Sequence, residues 1–92
     1  MAQPRFAPGR IMATQHFLDK CGELGQDPYE ILRRHFACDW SEMTQEDRDL
    51  NEAAIVFEDR IFSGYNLRDG TRVFVITEWD RSYTTLMLAD EY

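Results

Sequence analysis

Apolar positions recur along this chain with two different periods. Over the first sixty residues they return every three or four positions, and thereafter they alternate or cluster in short runs. In TQHFLDKCGELG (14–25), Phe17, Leu18, Cys21 and Leu24 fall at helical spacing, and Gly25 suits a left-handed cap. In QDPYEILRRHFA (26–37), Asp27 is a good N-cap and Pro28 a good first helical residue. Ile31, Leu32, His35 and Phe36 form the apolar side. The clearest helix lies in SEMTQEDRDLNEAAIVFEDR (41–60). Thr44 begins it, Gln45, Glu46 and Asp47 fill its first turn, and Leu50, Ala53, Ala54 and Phe57 read as an inward stripe with Val56 at its margin.

From Arg60 onward the pattern is β. RIFSGYNL is a first strand, Asp69-Gly70 a hairpin signal, TRVFVITEW a second strand, DRS a tight turn and YTTLMLA a third strand. Val73, Phe74, Val75 and Ile76 put apolar residues on both faces of the second strand, which predicts a central, doubly covered position. Residues 1–11, with Pro4, Pro8, Gly9, Arg5 and Arg10, read as a loose arm. The expectation is one α+β domain over residues 12–92, with two or three helices followed by a three-stranded antiparallel meander.

The chain of 92 residues is 43 % hydrophobic and 29 % charged, an ordinary globular balance. Its formal net charge of −7 disfavours direct binding of nucleic acid or of an anionic membrane surface. Runs such as VFVIT are too short to span a bilayer, and MAQPRFAPGRIMATQHF has no continuous apolar core. A cytoplasmic protein is expected. Cys21 and Cys38 are expected as free thiols.

The charge is unevenly placed. Residues 39–59 hold eight acids against Arg48 alone, so this segment carries the whole net charge. Acids suit a first helical turn, and a charged run is usually a solvated face. The alternative is a surface for a basic partner, with Asp39, Glu42, Glu46, Asp49, Glu52 and Asp59 supplying field and Trp40 an apolar anchor. That surface would be weakened if Arg33, Arg34 or Arg60 already neutralised it.

Other constellations are thinner. His16, Cys21, His35 and Cys38 are a zinc-type set, but H-x4-C…H-x2-C is not a usual spacing, and no metal or cofactor is expected. His35 and Asp39 stand one helical turn apart, yet no nucleophile motif accompanies them, so an enzyme is not expected. Glu78, Asp80 and Arg81 surround a turn, where turn chemistry explains them. Trp79 ends a strand there. A sheet apolar on both faces leaves room for a homodimer through the sheet.

DPYEILRRHFACDW, EDRDLNEAA, FSGYNL and VFVITEWDRSYTTLMLADEY together resemble a group of small proteins encoded on bacterial plasmids and integrative conjugative elements. The likeness covers roughly residues 24–92 and is most specific in RHFACDW and ITEWDRSYTT. In similar sequences a glycine often stands at the position of Cys38. The resemblance implies a setting, mobile DNA in a bacterial cytoplasm, and no chemistry. In that setting an acidic face suits a non-enzymatic inhibitor of a basic, DNA- or RNA-handling host protein, of the anti-restriction or anti-CRISPR type.

Overall fold

Capping chemistry begins each helix where the sequence signals it, and ends the first one there. In a computed structural model that describes residues 4–92, helix α1 (Gln15–Leu24) starts at Thr14, whose hydroxyl accepts the Phe17 N–H. It ends at Gly25, at φ 61°. Helix α2 (Pro28–Phe36) starts at Asp27, which accepts the Tyr29 N–H. Helix α3 (Gln45–Phe57) starts at Thr44, which accepts the Asp47 N–H, and ends in a left-handed Glu58.

The α+β class stands, but the sheet is larger and mixed. Preceding the helices is β1 (Arg10–Ala13); following them are β2 (Ile61–Asn66), β3 (Arg72–Thr77) and β4 (Tyr83–Leu88). The order is β1-β4-β3-β2. The meander β2-β3-β4 is antiparallel as expected, while β1 adds in parallel to β4, Arg10 opposite Tyr83 and Ala13 opposite Leu86. RIMA escapes sequence reading because it is short and its partner is distant in the chain, so no turn signal announces the pairing.

One sheet face carries Tyr65, Val73, Val75 and Leu86 against Phe17 and Cys21 of α1 and Ile31 and Leu32 of α2. The opposite face carries Phe62 and Phe74, and Tyr92 folds back onto it with its ring centroid 5.0 Å from that of Phe62. Arg60 stacks over both Phe62 and Tyr92. Part of the second apolar face is therefore covered by the chain's own end.

The segment read as a loose arm is docked over its described residues. Phe6 is buried and meets the His35 and Phe36 rings at 5.3 Å. The Pro8 carbonyl accepts the Thr84 hydroxyl at 2.7 Å. Gly9 sits at φ 63°, where a Cβ would strike the backbone of Arg81 and Ser82. Burying Phe6 outweighs the turn-forming composition around it. Residues 1–3 of that arm lie outside the described residues.

Helix α3 also differs from expectation. It buries Asn51 and Ala54, and Leu50, Ala53, Val56 and Phe57 face outward. The reason is its seat: α3 lies at the β2 edge of the sheet. The Asn51 amide donates to the Phe62 carbonyl at 2.9 Å and accepts the Phe62 N–H at 3.0 Å, completing the ladder that β2 lacks on that side.

Candidate functional site

Of the eight acids in the acidic segment, three are neutralised by arginines and five are open. Arg34, on α2, donates to Asp39 at 2.7 Å and to Glu42 at 2.9 Å. Glu42 also accepts the Asn66 N–H at 2.6 Å, a second closure of the β2 edge. Arg5 forms a two-pronged pair with Glu52, at 2.9 and 2.7 Å. These hydrogen-bonded guanidiniums hold the Asp39 and Glu52 carboxyls below the ordinary carboxylate range. Of the arginines named as neutralisers, only Arg34 acts so; Arg33 pairs with Asp27 and Arg60 donates to the Tyr92 hydroxyl.

Glu46, Asp47, Asp49, Glu58 and Asp59 enter no ion pair among the described residues. All are exposed. Helical geometry sorts the outer face of α3 into two strips. Glu46, Leu50, Ala53 and Phe57 follow one another along one; Gln45, Asp49, Glu52 and Val56 follow along the next. Phe57 is 74 % exposed, Val56 69 % and Leu50 62 %.

Trp40 is not the anchor expected of it. It is 4 % exposed and closes a second core cluster with Phe6, Ala54 and Ile61. The exposed tryptophan is Trp79, at 63 %, on the β3–β4 turn. Its place at a strand end, beside Asp80, is the one sequence signal that points outward. Arg81, at φ 58°, fixes this turn against α3: its guanidinium donates to the carbonyls of Ala54, Asp59 and Glu78. The Ala54 carbonyl already accepts the Glu58 and Asp59 N–H groups, so Arg81 adds a cationic donor at the C-terminal end of α3, where the macrodipole favours positive charge. Asp80 accepts the Ser82 N–H, as turn chemistry predicts.

Helix α3 thus forms a ridge between two hollows. One, of about 640 Å³, runs between Leu50 and Asp47 of α3 and the outer sheet face, with Phe62 and Phe74 as its floor and Arg60 and Arg72 beside it. The other, of about 450 Å³, lies toward the turn and includes Glu58, Trp79 and Asp80.

The candidate chemistry of the sequence is dispersed. His35 is fully buried; Nδ1 meets the Ser63 hydroxyl at 2.7 Å and Nε2 the Thr77 hydroxyl at 2.8 Å. Burial pushes its pKa down to about 3, so the ring is neutral. It does not meet Asp39, which is held by Arg34 and Ser41. His16 pairs with Glu91 at the surface, Cys21 lies in the main core and Cys38 borders the second cluster. Among the described residues no group of three or more His, Cys, Asp or Glu side chains could hold a metal ion. No helix among them is long and apolar enough to cross a membrane. Comparison with family models, curated proteins and solved structures found no match to the chain.

Proposed function

We propose that this protein is a non-enzymatic interaction module whose α3 ridge docks onto a basic, DNA- or RNA-handling protein. The observation that carries the reading is the outer face of α3, where unpaired carboxylates stand among exposed apolar side chains. Glu46, Asp49, Glu58 and Asp59 supply field, and Leu50, Val56, Phe57 and neighbouring Trp79 supply surface whose removal from water favours association. A merely solvated face has no need of three large apolar side chains. The acids that Arg5 and Arg34 already hold belong to the scaffold in this reading. The mobile-element setting implied by the resemblance makes a host enzyme that targets DNA the natural partner, blocked at its positively charged channel.

The test is affinity capture from a nuclease-treated bacterial lysate, followed by binding measurements on the retained protein. The combined variant Glu46→Gln, Asp49→Asn, Asp59→Asn should lose the partner, and wild-type affinity should fall steeply as salt rises. Trp79→Ala should weaken binding by at least about tenfold, the effect of losing an interface hot spot. Equal retention by wild type and the neutralised variant would remove the α3 ridge from consideration.

A further inference from the structure

The far edge of the sheet pairs with no further strand among the described residues. Strand β1 is an edge strand. The Arg10 N–H bonds to the Ser82 carbonyl and the Thr14 N–H to the Leu86 carbonyl, so Arg10, Met12 and Thr14 turn their backbone toward β4. Strand alternation then aims the N–H and C=O of Ile11 and Ala13 outward. All four β1 residues are exposed, and Ile11 to Ala13 contain no proline, no charge and no bulge. Natural edge strands are normally blunted by such devices, and here only the shortness of the strand and Arg10 at its start serve as one. The other edge, β2, is closed by Asn51 and Glu42. Beside β1 lies an apolar hollow of about 230 Å³, lined by Ile11, Ala13, Leu18, Tyr29 and Leu32 among others. Leu18 is 41 % exposed and Tyr29 64 %.

We infer that β1 pairs antiparallel with β1 of a second copy, about a two-fold axis through Met12. In that register Ile11 faces Ala13 of the other copy, and the reciprocal pair repeats across the axis. Each pair exchanges two N–H to O=C bonds, so all the outward groups of Ile11 and Ala13 on both strands find partners. Moving the axis to Ile11 or to Ala13 leaves some of them unmatched or calls on Gln15, which already belongs to α1. The same axis places Arg10 opposite Thr14 of the other copy. The Thr14 hydroxyl donates to Glu91 at 2.7 Å and His16 meets its other carboxylate oxygen at 2.9 Å, so on each side Arg10 comes to a carboxylate that its own chain already orients. Ile11, Leu18 and Tyr29 of both copies flank the axis on the helix side and cover one another. A foreign extended segment could satisfy the backbone, but only a second copy supplies the reciprocal Arg10–Glu91 match. The result is one continuous eight-stranded sheet with an α3 ridge at each end, and it stands or falls independently of what α3 binds.

Sedimentation equilibrium should give twice the chain mass of 10.9 kDa. Ala13→Pro should halve it with the circular dichroism unchanged, because the lost N–H is an outward one. The register is tested without relying on that variant. Two Met12 residues on the axis form a non-hydrogen-bonded pair with Cα atoms about 4.5 Å apart, within disulfide range. Met12→Cys should therefore cross-link rapidly under mild oxidation, and Ala13→Cys slowly. A wild-type monomer at millimolar concentration overturns the proposal and leaves the edge to a foreign strand. A dimer in which Met12→Cys links no faster than Ala13→Cys overturns it equally, by placing the interface elsewhere.

Discussion

His35 is the residue on which the interior turns. Its ring joins α2 to β2 and β3 through the Ser63 and Thr77 hydroxyls, and Thr77 continues through Thr84 to the Pro8 carbonyl. A polar chain therefore runs through the core and ties down the N-terminal segment, with every link hydrogen-bonded, as burial demands. The pH consequence has a definite sign. Between about 3, where folded His35 titrates, and its ordinary value of 6.5, the unfolded state binds more protons. Its stability contribution is complete above pH 6.5 and is lost as pH falls. The limiting slope is about 1.4 kcal/mol per pH unit for one proton. Stabilities from urea unfolding between about pH 5.5 and 6.5, above the range in which most carboxylates titrate, should fall toward that slope in wild type as pH drops and stay flatter in His35→Gln. An equal slope in both would assign the effect to other groups.

At the scale of elements, the α3–β2 seam explains why the helix shows its apolar residues to solvent. The helix is held by a side-chain amide, by Ala54 and half-buried Ile55 on the second core cluster, and by Arg5 and Arg81 at its surface, rather than by a broad apolar stripe. Asn51→Ala would leave the Phe62 N–H and C=O without partners in a part-buried setting. Two such losses cost about 2–4 kcal/mol, readable as a shift in the urea midpoint. Asn51→Asp keeps the acceptor for the Phe62 N–H but sets a carboxylate against the Phe62 carbonyl, so it should not rescue. A Leu50→Ala variant, by contrast, should leave stability nearly unchanged, since Leu50 is mostly exposed. Comparable losses in Leu50→Ala and Asn51→Ala would contradict this account of the seam.

For the whole molecule the question is what an excess charge of −7 does to its own stability. Asp39, Glu42 and Glu52 are offset by Arg34 and Arg5, so the open repulsion is concentrated along α3. Glu58 and Asp59 stand at the C-terminal end of that helix, where the macrodipole disfavours negative charge and no basic residue occupies the last turn. The combined variant Asp49→Asn, Glu58→Gln, Asp59→Asn should therefore melt higher than wild type at low salt. The difference should close at high salt as the charges are screened. A lower melting temperature at low salt would mean that these acids hold the fold together.

Much of this was legible in the chain. Thr14, Asp27 and Thr44 announce their helices, Gly25 ends one, and Asp69-Gly70 turns the first hairpin, because caps and tight turns are satisfied by residues within a few positions of one another. The uneven charge was equally plain. Which acids remain open was not, because Arg5 reaches Glu52 across 47 positions. The direction in which α3 points its side chains was not legible either. Its pattern is satisfied equally by an inward Leu50–Phe57 stripe or an inward Asn51–Ala54 pair, and the unpaired edge of β2 decided for the asparagine. The depth of Trp40, the exposure of Trp79 and the pairing of β1 with β4 were settled in the same way. A chain specifies its local geometry through near neighbours, whereas the sites of burial and charge pairing depend on distant segments that meet only in the folded state.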